Sequence, residues 1–163
     1  MVSPMDEKNM ENTVRDIIQK MKASSTMNLK LAQALMERVE AEAQAMGVKA
    51  VVAVSDASGR PIAIHCMDGA YIGSFDVALN KTYTSVAFQM STAKLAELAA
   101  PGGSLYGIQH TNEGKIVIFG GGEPLYLDGV LIGAIGVSGG TAEQDTKLGE
   151  YGKNILKEVI AWK

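Results

Sequence analysis

The sequence has one cysteine, two histidines and one tryptophan in 163 residues. A lone cysteine, Cys66, excludes a disulfide within the chain and is typical of proteins in a reducing cytosol. No apolar run reaches the length needed to cross a bilayer, and the N-terminus lacks the plan of a signal peptide. A net charge of −3 gives no basic surface for nucleic acids or anionic membranes. These absences predict a cytoplasmic protein without a membrane or nucleic-acid partner.

Apolar residues and glycines are what the chain has in quantity. Hydrophobic residues make up 47% of it and charged residues 20%, which is typical of a globular protein. The length is that of one domain with a substantial core. Because the strands are rich in glycine and the composition is apolar, we expect more apolar surface than one small sheet covers. This predicts a homo-oligomer.

Residues 1–25 are predicted to be a separate segment, ahead of a domain at 26–163. Apolar residues recur at helical spacing within 10–22, and Ala23-Ser24-Ser25 is typical of a linker. This helix either docks on a partner through its apolar stripe or packs on its own domain or a neighbouring subunit. The stripe consists of Met10, Val14, Ile17, Ile18 and Met21.

The domain at 26–163 is predicted to be α+β, in the order α–β–β–α–β–β–β–α. Short links between strands predict one antiparallel, five-stranded sheet flanked by helices. The predicted strands are Ala50–Ser55, Pro61–Met67, Lys115–Phe119, Pro124–Leu127 and Val130–Val137. The predicted helices are Thr26–Met46 (with Gly47 as its C′ residue), one from Ser74 or Asp76 to Met90, a short one from Ser91 or Thr92 to Leu98, and one from Glu143 to about Trp162.

The stretch from Gly120 to Asp145 carries the sharpest local signals. Asp128-Gly129 between two apolar runs predicts a type I′ hairpin turn, because both central residues of that turn need a positive φ. Thr141, with Gln144 three residues later, has the spacing of a capping box at the start of a helix.

Glycines in the same stretch suggest close approaches and a candidate binding site. Gly133 and Gly136 interrupt a β-branched strand, which predicts that another backbone, a helix or a ligand comes close there. The backbone amides from Gly139 to Ala142 open a helix and could hold a carboxylate or phosphate, although glycine there also suits a tight turn. The glycines assigned to this candidate site are Gly120, Gly121, Gly122, Gly139 and Gly140.

Ser138 lies in a Gly-x-Ser-x-Gly motif between a strand and a helix, as the nucleophile of a serine hydrolase does. That chemistry needs a histidine downstream of the serine, and both histidines precede Ser138. A serine hydrolase is therefore disfavoured.

Lys81 and Asp76 are the candidate catalytic residues, about a turn and a half apart on one predicted helix. A lysine on a helix that faces a sheet can be desolvated and made reactive. The alternative is a structural ion pair or a subunit contact. Asp145 falls in the first turn of the last helix, where the helix dipole stabilises a carboxylate without any catalytic role.

Several motifs occur together in one order along the chain. They are Met67–Ala70, Asp76–Thr84, Pro101–Gly107, Gly120–Pro124, Asp128-Gly129, Gly133–Gly140 and Glu143–Asp145. From Thr26 to Trp162 the sequence resembles the GlcG/HbpS-like family, in particular the C-terminal domain of PduO-type corrinoid adenosyltransferases. The resemblance implies a profilin-like fold and haem binding between subunits. It does not imply corrinoid adenosylation, which we do not expect here.

Four side chains are soft donors that could bind a haem iron: His65, Cys66, Met67 and His110. The resemblance favours this role, because it implies haem binding between subunits. On a strand, His65 and Met67 share one face and Cys66 points to the other, so they cannot all bind one iron. His110 lies in a loop and is freer to reach a ligand, so it is the candidate metal ligand. The alternative for each is an ordinary surface or core residue.

The leading interpretation is an accessory protein that binds haem or a related tetrapyrrole. A binding protein is favoured over an enzyme. Residues 10–22 look like the short encapsulation peptides that carry cargo to a bacterial microcompartment shell, which predicts a location inside such a compartment. One alternative is a small enzyme that acts on a carboxylate or aldehyde metabolite through Lys81 and Asp76. Another is a structural accessory protein without a ligand.

Overall fold

The computed structural model describes residues 8–17 and 26–161. Residues 8–17 form helix α1. The later elements are α2 (Leu29–Ala45), β1 (Val51–Asp56), β2 (Pro61–Cys66), α3 (Gly73–Phe88), α4 (Thr92–Ala99), β3 (Gly122–Leu127), β4 (Val130–Ser138) and α5 (Ala142–Ala161). Two short 3₁₀ turns, Ile108–His110 and Asn112–Gly114, lie between α4 and β3.

The described strands form one antiparallel sheet in the order β2-β1-β4-β3. Side chains of a strand alternate between the two faces. Val52 and Val54 of β1 join the main core with α2 and α5, whereas Val51 and Ala53 pack against α3. The sheet is therefore covered by α2 and α5 on one face and by α3 on the other.

The α+β class and the antiparallel sheet are confirmed, but the prediction of five strands is wrong for the described residues. The segment Lys115–Phe119 pairs with no strand there. The backbone amide of Val117 donates instead to the Thr84 hydroxyl on α3, at 3.0 Å. Ile116 and Val117 are buried, so an apolar run suggested a strand where the chain packs without a ladder. The finer profilin-like assignment stays a prediction.

The predicted turn and helix caps are confirmed. Asp128 and Gly129 have φ of +49° and +80°, as a type I′ turn requires. The Thr141 amide donates to Gln144 Oε1 at 2.9 Å, and the Gln144 amide donates to Thr141 Oγ1 at 3.2 Å, which completes the capping box. Gly47 ends α2 with a φ of +70°.

Helix α2 begins later than predicted, because Asn28 rather than Thr26 caps it. The Asn28 side chain accepts from the Leu31 amide at 3.0 Å. An N-cap carboxamide satisfies an amide that has no partner inside the helix.

Helix α1 carries part of the apolar stripe predicted for the N-terminal segment. Met10, Val14 and Ile17 are all exposed. Ile18, Met21 and the linker Ala23–Ser25 lie outside the described residues, as does Trp162 at the other end of the chain.

The close approach predicted at Gly136 can be tested by adding a methyl group. A Cβ built at Gly136 would lie 2.1 Å from the Ala78 carbonyl oxygen, because α3 packs directly on β4. We expect Gly136→Ala to lower the free energy of unfolding by about 1–3 kcal/mol or more, as overpacking does. Gly73→Ala is the control, since a Cβ there meets no atom within 4 Å. Equal urea midpoints for both variants would contradict the close approach.

Candidate functional site

Lys81 is the largest fully buried side chain in the described part of the chain, with 0% exposure. Its Nζ donates to the Val137 carbonyl oxygen at 2.6 Å and to Asp145 Oδ2 at 3.0 Å. The Phe119 ring covers the same nitrogen, 4.8 Å from Nζ to the ring centroid. An ammonium has three protons, and these contacts give it a carbonyl, a carboxylate and an aromatic face.

Glycines make the room for this ion pair. A Cβ at Gly121, whose φ is +115°, would lie 2.7 Å from Lys81 Nζ and 2.9 Å from Asp145 Cβ. A Cβ at Gly136 would lie 3.0 Å from Lys81 Cβ. Gly121 and Gly136 therefore let the lysine and the carboxylate meet between α3, α5 and the sheet.

Asp145 links the ion pair to the start of α5. Its Oδ1 accepts from the Gly140 amide at 2.9 Å, while Oδ2 binds Lys81. The Thr141 amide is already bound to Gln144. Two of the four amides in the predicted anion site at Gly139–Ala142 are therefore engaged within the chain, and that site stays a prediction. Gly139 and Gly140 do line a cleft of about 270 Å³ together with Lys49 and Tyr71.

Two opposing effects act on the charge of Lys81. Burial lowers the pKa of its ammonium below the ordinary value, and the Asp145 carboxylate raises it part of the way back. Desolvation is the larger effect. Burial of the Lys81 ammonium costs desolvation free energy. The charge of Asp145 and its hydrogen bond to Nζ offset part of that cost.

Asp76 is not the partner of Lys81. It lies exposed in the first turn of α3. The carboxylate that reaches Lys81 is Asp145, 64 residues away in the sequence. Proximity along one helix suggested Asp76, but the fold brings the other acid in from α5.

The Gly120–Gly122 stretch packs among polar side chains next to the ion pair. The Gly122 amide donates to Thr92 Oγ1 at 2.9 Å. A Cβ at Gly122 would lie 2.8 Å from Ser85 Oγ. That hydroxyl is buried and has no hydrogen-bond partner in the described structure. Sequence patterns gave no hint of Ser85, Thr92 or Phe119, since each acts through contacts distant in the chain.

His65 and Cys66 lie on opposite faces of β2. His65 pairs with Val52, whose side chain is in the core beside α2, and its Nδ1 is 2.6 Å from Glu40 Oε1 of that helix. Cys66 pairs with Val51 on the α3 face and lines a cavity of about 250 Å³ with Tyr71 and Phe75.

His110 is exposed at the end of a 3₁₀ turn in the loop between α4 and β3. Among the described residues, no three His, Cys, Asp or Glu side chains are grouped as a metal site would need. None of the described helices is long and apolar enough to span a membrane.

Comparisons with known proteins point to one family. The family model for HbpS-like proteins, described as haem-degrading, matches residues 27–153. An uncharacterized 15.0 kDa protein of Citrobacter freundii, from the dhaT–dhaS intergenic region, is 42% identical over 83% of this chain and 95% of its own length.

Two further relatives carry the PduO name. Corrinoid adenosyltransferase PduO of Salmonella typhimurium is 39% identical over 74% of this chain, and the match spans only 34% of that enzyme. The crystal structure of a PduOC–haem complex superposes with a TM-score of 0.76 at 34% identity, covering 79% of this chain and 94% of that one.

The energetic role of the buried pair can be tested at Asp145. Asp145→Asn keeps an oxygen for the Gly140 amide but leaves the buried Lys81 ammonium without a counter-charge. We expect a loss of about 3–5 kcal/mol in the free energy of unfolding, as for other buried pairs that lose one partner.

Asp128→Asn is the matched control, because Asp128 is exposed and makes a surface ion pair with Lys157, with 3.7 Å between Oδ1 and Nζ. We expect that change to stay within about 1 kcal/mol, as exposed pairs do. Denaturant unfolding of both variants would measure the difference, and two equal losses would refute a special role for Asp145.

Proposed function

Because the chain belongs to the HbpS-like family, we propose that it is an accessory protein that binds haem or a related tetrapyrrole. The match to the family over residues 27–153 supports this. So does the similarity to a PduOC domain that was crystallised with haem. The proposal concerns binding only, since the match spans about a third of the PduO enzyme.

The observation that carries this proposal is the pairing of His65 with Glu40. When Nδ1–H donates to the carboxylate at 2.6 Å, a neutral imidazole keeps an unprotonated Nε2 with a free lone pair. A carboxylate on the second nitrogen fixes the orientation and tautomer of a metal-binding imidazole. The side chain is 36% exposed, so a ligand can reach it. His65 is therefore the residue that would hold the haem iron.

The other candidate donors keep weaker support. His110 is exposed, but no acidic partner of the kind that orients His65 is described for it. Cys66 lies beside an apolar cavity with Tyr71 and Phe75, where a flat apolar ring could pack. When bound, haem would supply a redox-active iron; the protein would orient the imidazole and cover part of the ring.

Exposed apolar side chains support assembly into a homo-oligomer. Tyr71 and Ile72, before the first residue of α3, are 76% and 95% exposed, and Phe75 lies beside them. Neighbouring exposed apolar groups often mark an interaction surface. We propose that this surface contributes to a subunit contact.

Haem titration followed by the Soret band tests the proposal. We expect wild-type protein to bind haem at micromolar concentration. His65→Ala should weaken binding about tenfold or more and shift the Soret maximum, and Glu40→Gln should weaken it less, as loss of an outer hydrogen bond to a metal ligand does.

His110→Ala and Cys66→Ala serve as the comparison variants. A changed spectrum in His110→Ala together with an unchanged one in His65→Ala would move the ligand to the loop. Absence of a Soret band in the wild-type protein would overturn haem binding altogether.

We also propose that residues 1–25 are a separable docking segment and that its partner is a microcompartment shell. The exposed stripe on α1, with Met10, Val14 and Ile17, supports this, because an isolated short helix needs a surface to lie on. The likeness of residues 10–22 to the short encapsulation peptides of microcompartment cargo gives the shell as the candidate partner.

Deletion of residues 1–22 tests this segment. We expect the melting temperature of the remaining domain to change by less than about 4 °C, since that much corresponds to only about 1 kcal/mol in a chain of this size. Fused to a reporter, residues 1–22 should direct it to a shell. Ile17→Glu should abolish targeting because a charge would be desolvated in the partner's groove. Asn12→Glu, which adds the same charge on the opposite face of the helix, is the control.

If the deletion unfolds the domain or dissociates the oligomer, the segment belongs to the fold and the targeting proposal fails.

A further inference from the structure

Lys81 has a cover that differs from its other two contacts. Val137 is part of β4, and Asp145 is held in the first turn of α5. Phe119 belongs to no helix or strand, and its side chain is 42% exposed. The ring therefore covers the buried Lys81 ammonium on one face and is exposed to solvent on the other.

The backbone next to Phe119 is rich in glycine. Phe119 is followed directly by Gly120, Gly121 and Gly122, and Gly121 has a φ that L side chains rarely adopt. A Cβ at Gly120 would lie 1.8 Å from Thr146 Oγ1, and the Val137 amide donates to the Gly121 carbonyl oxygen at 2.9 Å. This backbone is therefore anchored, and the motion left to Phe119 is rotation of its side chain. No strand pairing holds residues 115–119 within the described structure, so the ring can move without breaking the sheet.

A second polar group beside the lysine is left without a partner. Ser85 is one turn further along the same face of α3, and its buried hydroxyl has no hydrogen-bond partner in the described residues. Buried hydroxyl groups are normally bonded, so an unbonded one asks for an explanation. A polar ligand that enters beside Lys81 would give it one.

We propose that Phe119 is a lid over Lys81 and that, when it opens, the lysine amine condenses with a small aldehyde or ketone. This is an activity separate from haem binding, because neither His65 nor Glu40 takes part. The incoming molecule must be no larger than the ring it displaces, which favours short aliphatic carbonyl compounds.

The reaction balances without any further reagent. The Lys81 ammonium passes one proton to Asp145, and the Nζ lone pair attacks the carbonyl carbon to form the C–N bond. The carbonyl oxygen takes up that proton and then a second one from nitrogen, and it leaves as water while the C=N bond forms. Lysine ammonium and aldehyde thus give a protonated imine and one water, and Asp145 is again a carboxylate, which faces the protonated imine.

Desolvation favours this chemistry, since burial lowers the pKa of Lys81 and enlarges its neutral fraction. Lys94 and Lys147 each lie in a surface ion pair with a glutamate. They serve as internal references in the same molecule.

The experiment traps the imine in the full-length, haem-free protein. Protein at neutral pH is treated with butanal and sodium cyanoborohydride, and the alkylated lysines are identified by peptide mass spectrometry. We expect Lys81 to be labelled several-fold faster than Lys94 and Lys147, because burial lowers the pKa of Lys81 and leaves more of it as the neutral amine.

Variants separate the lid from general loosening of the fold. Phe119→Ala should raise the rate at Lys81 several-fold, whereas Tyr106→Ala, at another exposed aromatic residue, should leave it unchanged. His65→Ala should label like the wild type, so failure of haem binding would not affect the result.

Two outcomes overturn the proposal. If Lys81 stays unlabelled in the wild type and in Phe119→Ala while the reference lysines react, it is a structural cation only. If Lys81 reacts in Phe119→Ala but not in the wild type, the lid does not open in the native protein.

Discussion

Lys81 and Asp145 meet inside the protein with almost no exposure to solvent, and this constraint sets where three elements can lie. A buried charge is tolerated only when its partner is at hydrogen-bond distance. The ammonium must reach Asp145 on α5 and Val137 on β4 from its position on α3. The second carboxylate oxygen then fixes the Gly140 amide. Such a pair adds little net stability when intact, but loss of either partner leaves an uncompensated buried charge.

The glycine content follows from the same constraint. Gly121 and Gly136 sit where a methyl group would overlap Lys81, Asp145 or the backbone of α3. At Gly121 and Gly136 the chain therefore needs glycine because backbone and charged groups approach closely there. The candidate haem ligand His65 lies outside this centre, on β2, where it contacts Glu40 of α2. The proposed haem ligand and the buried charge thus lie in different parts of one small domain.

What the sequence predicted well was local. The Asp128-Gly129 turn and the Thr141–Gln144 capping box depend on groups within three residues of each other, so their signals are complete in a short window. Contacts between distant segments were missed. The sequence predicts that Asp145 interacts with the dipole of the last helix, and it does not predict the contact with Lys81. It also predicts a strand at the apolar run Lys115–Phe119. Burial of an apolar run does not say whether its backbone pairs with a strand.

The separation of the two charges along the chain has a consequence for how the protein can be divided. Lys81 and Asp145 are 64 residues apart, and the irregular stretch from Pro101 to Gly114 lies between them. A cut in that stretch would give two fragments, each with an apolar surface and one unpaired charge. Their mutual recognition would rest on charge neutralisation as well as on burial. The domain could therefore be divided like a split reporter. Reassembly would favour a partner fragment with the complementary charge over one that lacks it.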